Sequence, residues 1–157
     1  MTARLDEETL TRVAASFAAV PLLSRLTERQ RGALATKATT RRYREARIVV
    51  RQGDTSMALY VVLSGSVRID REDEAGRRHP IAPHVGANGF FGEMGLIEDE
   101  PRSATVTALE ETECALLAKW DFQNELRSDP DIALALMPVL NARIRDLNAR
   151  LARAAAG

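Results

Sequence analysis

From Thr39 to Lys119 the chain is cut into short apolar runs by turn signals, and no helical period survives across that span. Ile48-Val49-Val50 is a β-branched run, and Gln52-Gly53-Asp54 marks a turn after it. Leu59-Tyr60-Val61-Val62-Leu63 is a continuous apolar strand, turned by Ser64-Gly65-Ser66 into Val67-Arg68-Ile69. Glu72-Asp73-Glu74-Ala75-Gly76-Arg77 reads as a solvated hairpin loop. His79 and His84, flanked by Pro80 and Pro83, fit an edge strand, where a missing N–H is tolerated. Ser103 to Leu109 alternates with Ala104, Val106 and Ala108 on one face, and Cys114 to Ala118 closes the series. Many short strands at close turn spacing predict a sandwich, roll or barrel, because closure manages exposed edges.

Helical periodicity brackets this span. Leu10, Val13 and Phe17 recur at spacings of three and four, and Pro21-Leu22-Leu23 ends the pattern. Thr27-Glu28-Arg29-Gln30 reads as a capping box opening a second helix, with Leu34 turned inward and an end near Lys37. On the C-terminal side, Asp121 is a candidate cap for a short helix through Leu126, and Asp129-Pro130 a cap and first-position pair for a longer one. In that longer helix Ile132, Leu136, Leu140, Ile144, Leu147 and Leu151 form one apolar stripe. Pro138 should kink it or mark its true start. One domain over residues 1–157 follows, divided into N-terminal helices (1–38), strands (39–120) and C-terminal helices (121–157).

Charge and composition narrow the function. The 22 basic and 22 acidic residues cancel, so no global field attracts nucleic acid or an anionic membrane. The single cysteine, Cys114, has no intramolecular partner. The acidic N-terminus Met-Thr-Ala-Arg-Leu-Asp-Glu-Glu is unlike a basic secretory leader, and the apolar stretch Val13 to Leu23 is too short to span a bilayer. The expectation is a soluble, cytoplasmic protein without a membrane partner. Two histidines and one cysteine give no metal-ligand spacing. No Walker loop and no Gly-x-Ser-x-Gly elbow occurs, and Lys37 and Lys119 are the only lysines. Arg41-Arg42, Arg77-Arg78 and the arginines of the last helix read as solvated faces. Direct DNA binding is not expected.

One segment stands apart, Phe91 to Val106. Glu93 follows Gly92, and Arg102 stands nine residues further on, beyond the turn-forming Glu98-Asp99-Glu100-Pro101. A guanidinium fork can meet two oxygens of one anion, and a carboxylate can only accept hydrogen bonds. Ser103 and Ala104 offer a hydroxyl and backbone amides, and Gly92 and Gly95 let the backbone approach a ligand closely. This stretch resembles the phosphate-binding cassette (91–106) of cyclic nucleotide-binding domains. Gly53-Asp54, Leu59-Tyr60-Val61-Val62 and Ser64-Gly65-Ser66-Val67 resemble the family's first glycine-bearing hairpin, so the likeness runs over roughly residues 20–150.

The resemblance implies an α+β, mainly β fold: a double-stranded β-helix, or jelly-roll β-roll, flanked by N-terminal helices and a long C-terminal helix. It implies a ligand, not a cofactor: cAMP first, with cGMP or cyclic di-GMP open. Binding residues carried over are Gly92, Glu93, Met94, Arg102, Ser103 and Ala104. Asn148, on a helix that in the family lids the base, has an amide able to read an adenine edge. No catalysis is implied. Because the sequence ends soon after the last helix, the expectation is a sensor that signals through an unidentified effector protein or through a homodimer formed by the C-terminal helix. The apolar cassette residues Met94, Leu96 and Ile97 would then shift against that helix. The alternatives are a degenerate interaction module that uses the Leu140–Leu151 stripe, and a cupin-like enzyme, against which the missing ligand cluster argues.

Overall fold

The computed structural model describes residues 4–157. The reading of Met1 to Ala3 as part of a non-leader terminus lies outside these residues. Helix α1 (Glu7–Ala18) opens on Asp6, whose carboxylate accepts from the Thr9 N–H. A 3-10 turn at Pro21–Leu23 breaks the helical run. Helix α2 (Glu28–Ala35) carries the expected capping box: Thr27 accepts from the Gln30 N–H while the Gln30 side chain accepts from the Thr27 N–H.

Eight strands follow: β1 (Thr39–Tyr43), β2 (Ile48–Val50), β3 (Ala58–Ser64), β4 (Val67–Glu72), β5 (Arg78–Val85), β6 (Phe90–Phe91), β7 (Thr105–Ala108) and β8 (Thr112–Ala118). They form two antiparallel four-stranded sheets, ordered β1-β8-β3-β6 and β2-β7-β4-β5. The proline-bearing β5 lies at an edge, as its composition requires. Together the sheets make the antiparallel β-roll that the turn spacing predicted.

The unbroken apolar run of β3 has a simple cause: both faces of its sheet are covered. Leu59 and Val61 point into a helical core with Val13, Phe17, Leu34, Phe122 and Ile132. Tyr60 and Val62 alternate into the roll interior with Val67, Phe91, Val106 and Cys114. Burial pushes the Cys114 thiol up to about 12, as befits an inert core cysteine. In β7 the alternation is imperfect, since Thr107 is buried along with Val106 and Ala108.

Two C-terminal helices complete the chain. Helix α3 (Lys119–Ser128) begins earlier than Asp121 predicted: its N-cap is Ala118, with no side-chain cap, because the backbone leaves β8 directly into the helix. Asp121 lies in the first turn instead. Helix α4 (Asp131–Ala156) runs through Pro138 as a single element, which removes the reading of Pro138 as its true start. Asp129 still accepts from the Asp131 N–H, but Pro130 takes the capping position. The apolar stripe of α4 divides in two. Ile132 and Leu136 are buried in the helical core, whereas Ile144, Leu147 and Leu151 are more than half exposed. Among the described residues, no helix is long and apolar enough to cross a membrane.

Candidate functional site

The segment between β6 and β7 folds into one wall of a cavity of about 520 Å³. Gly92 starts it at φ 83°, and Glu93–Leu96 form a 3-10 turn. Leu96 is anchored in the helical core, and Lys119 secures the far tip. The Lys119 ammonium donates to the Glu98 carbonyl at 2.7 Å and to the Asp99 carboxylate. The returning strand is clamped where Arg102 N–H donates to Asp54 O (2.7 Å) and Gly53 N–H donates to Arg102 O (2.8 Å).

These ties bury the Arg102 side chain to 8% exposure. Its Nη2 donates to the Ala58 carbonyl at 2.8 Å, and its guanidinium lies 5.4 Å from the centre of the Tyr60 ring. Tyr60 is in turn stacked on Phe91, with centroids 4.9 Å apart. Burial lowers the Arg102 pKa from its usual range, partly opposed by Tyr60. Among the described residues Arg102 has no carboxylate within ion-pair distance. A buried cation with one carbonyl and one ring for company is under-compensated.

The glycines serve a purpose different from the expected one. A Cβ on Gly92 would stand 2.1 Å from Arg102 Nη1, and one on Gly95 would stand 1.9 Å from Ser56 Oγ. Their bare Cα atoms make room for the protein's own side chains, and Gly92 also supplies the positive φ.

Around Arg102 the cavity gathers most of the predicted residues. Gly92, Glu93, Met94, Ser103 and Ala104 all line it. Among the described residues, neither the Ser103 nor the Ala104 N–H is taken up by a turn, loop or side-chain hydrogen bond. Glu93 is half-buried and faces Arg143 of α4, with Oε1 3.6 Å from Nη2. Arg143 also donates to the Met94 sulfur at 2.9 Å. Thus α4 meets the cassette through the Arg143 guanidinium at Glu93 and Met94, while Leu96 is buried in the helical core that Ile132 and Leu136 of α4 share. Asn148 is exposed and does not line the cavity; five residues past Arg143, it lies about 7.5 Å further along the axis.

Sequence reasoning missed Arg143, which it placed on a solvated face. It also missed the opposite wall, Val50, Ile69, Arg71 and Ile81. Ile69 and Arg71 share one face of β4, and the period of two was the available signal. No His or Lys lines the cavity; the carboxylates on its wall are Glu93 and Glu100. Among the described residues no cluster of His, Cys, Asp or Glu could hold a metal. The arrangement can bind a small anion bearing hydroxyl and apolar parts.

The sequence profile of the cyclic nucleotide-binding domain matches residues 40–129, more than half of the chain. The chain belongs to this family. It is 36% identical over 114 residues to a cAMP-dependent protein kinase regulatory subunit of Blastocladiella emersonii, covering 72% of this chain and 28% of the relative. It is 35% identical over 111 residues to the cyclic AMP receptor protein of Thermus thermophilus, covering 71% and 51%. The chain therefore spans between a quarter and about half of these relatives. Its fold is similar to the N-terminal domain of a transcriptional regulator from Streptomyces coelicolor, with TM-score 0.76, 31% identity, and coverage of 83% of this chain and 91% of that one. The Thermus thermophilus catabolite activator protein gives TM-score 0.71 at 31% identity, covering 86% and 63%. The cyclic nucleotide-binding fold is the β-roll described above.

Proposed function

We propose that this cyclic nucleotide-binding domain is a sensor of cAMP, without catalysis, that reports occupancy through α4. The observation that carries the reading is Arg102: a buried guanidinium at the cavity wall with no carboxylate among the described residues within ion-pair distance. A singly charged phosphodiester supplies the missing anion, and the Ser103 and Ala104 amides add donors. Glu93 would accept from the ribose hydroxyl, with Val50, Ile69 and Ile81 as an apolar wall. The relatives named for cyclic AMP support that choice of base, with cGMP and cyclic di-GMP as competitors.

Signalling would run through the Arg143 contacts to Glu93 and Met94, since a ligand that engages Glu93 alters what α4 docks against. The half-exposed Ile144, Leu147 and Leu151 fit a homodimer through α4 or an effector protein. In a parallel pair, Asn148 would approach the Arg143 region of the other copy, so its role as a base reader belongs to the dimer. Asp substitution at Leu147 should then halve the mass seen by sedimentation, and an unchanged monomer mass in the unsubstituted protein would remove the dimer. No membrane or DNA partner enters this reading, which suits a cytoplasmic protein.

Calorimetric titration with cAMP, cGMP and cyclic di-GMP in parallel tests the ligand. Arg102→Ala should weaken binding by about 2–5 kcal/mol, roughly thirtyfold to several-thousandfold. Undiminished affinity in a folded Arg102→Ala protein would refute the site.

A further inference from the structure

A second surface lies outside the cavity, on the far side of the cassette tip. Three backbone segments meet at Lys119: its N–H donates to the Met57 carbonyl at 2.9 Å, its ammonium to the Glu98 carbonyl at 2.7 Å, and Trp120 is the next residue. Each segment carries an exposed apolar side chain. Met57 is 59% exposed, Ile97 39% and Trp120 67%. Tryptophan and methionine left in water on converging segments are what interface centres are made of.

The run that follows Ile97 is acidic. Glu98 and Asp99 are consecutive and exposed, whereas Glu100, next along, lines the cavity. Lys119 is the cation within this ring, yet it is buried and already committed to Asp99. Among the described residues Glu98 has no ion-pair partner. In a chain of zero net charge this is a local acidic rim around an apolar centre.

We infer that Met57, Ile97 and Trp120, rimmed by Glu98 and Asp99, form a docking surface for a basic protein segment with apolar anchors. The anchors would cover the three side chains, and arginine or lysine would meet the rim, giving register and orientation as well as attraction. The rim disfavours an acidic lipid surface, which would meet like charge. The inference does not depend on nucleotide binding.

Trp120 is the only tryptophan of the chain, so its emission reads this surface directly. The probe is a synthetic helical peptide with Leu and Phe on one face and Arg elsewhere; its counterpart carries Glu in place of Arg. The Arg peptide should give a saturable blue shift, with affinity falling at least tenfold in Glu98→Gln and in Met57→Ser. These side chains are exposed, so matching thermal unfolding should confirm intact folds. Affinity should also fall steeply with added salt. An equal response to the Glu peptide, or no response to either, would overturn the inference. So would a blue shift on concentrating the protein alone, which makes the surface a contact between copies, or one seen only with vesicles rich in phosphatidylserine. Failure of nucleotide titration would leave this result untouched, and the reverse.

Discussion

Two buried cations hold opposite ends of the same cassette, and they are compensated unequally. Lys119 and Arg102 are both 8% exposed. The Lys119 ammonium meets a carbonyl and a carboxylate of the tip, Glu98 and Asp99. Arg102, with five N–H donors to satisfy, donates to one carbonyl and rests over one ring. Equal burial therefore conceals different work. Lys119 fastens the segment to the start of α3, while Arg102 presents charge that no carboxylate among the described residues meets within ion-pair distance. Burial alone does not mark a binding residue; burial without compensation does.

Removing each cation should separate the two roles. Arg102→Met should abolish most nucleotide affinity, in the 2–5 kcal/mol range given above, at a stability cost below that of Lys119→Met, because the desolvation penalty that disappears with the charge offsets the donor lost by the Ala58 carbonyl. Calorimetry and urea unfolding on the same preparation measure both. A large stability loss would show that Arg102 is a fastener too, and would break the contrast. Lys119→Met should do the reverse: about 1–3 kcal/mol of stability lost, because the Glu98 carbonyl loses its partner. Any change in affinity should then follow from a loosened tip, and Ser103 contacts should remain in the bound state by amide NMR. An Arg102-sized loss of affinity in Lys119→Met would place both cations in the site.

The same contrast explains what the sequence could reveal. Arg102 was legible because the glycine, the carboxylate and the guanidinium share one short segment. The roll was legible because its strands are short and both faces of β3 are apolar. Arg143 was not, because it stands 49 residues from Met94 and repeats at the spacing of solvated arginines; only the docking of α4 distinguishes it. The stripe of α4 was read as one surface, yet its first half is core and its second half is exposed, a division set by where the roll ends. Asp121 offered a cap that the β8-to-α3 connection does not use. Gly92 and Gly95 were recognised as places of close approach, but the atoms that approach are Arg102 and Ser56. Chemistry carried in a contiguous segment can be read from sequence; contacts across elements wait for packing.

Asp73 supplies the smallest test and the mirror of Arg102. It sits in the β4–β5 hairpin with His79 Nε2 at 2.8 Å, accepts from Arg77 N–H and Ala75 N–H, and pairs with the Arg77 side chain at 3.0 Å. Its pKa is lowered to about 2, first by His79 and then by the Arg77 backbone. Both groups have lowered values for opposite reasons: burial disfavours the charged form of Arg102, whereas partners favour the charged form of Asp73. Because the folded value of Asp73 lies below its ordinary 3.8, the stabilisation it lends the hairpin is present above 3.8 and is lost as pH falls through about 2. Carboxyl-carbon NMR should place its midpoint near the lower value, and Asp73→Asn should flatten the stability profile within that window alone. The hairpin faces solvent, so the effect should shrink with added salt. Titration at the ordinary value would mean that the hairpin network does not hold in solution, and compensation by partners would then be visible only at Lys119.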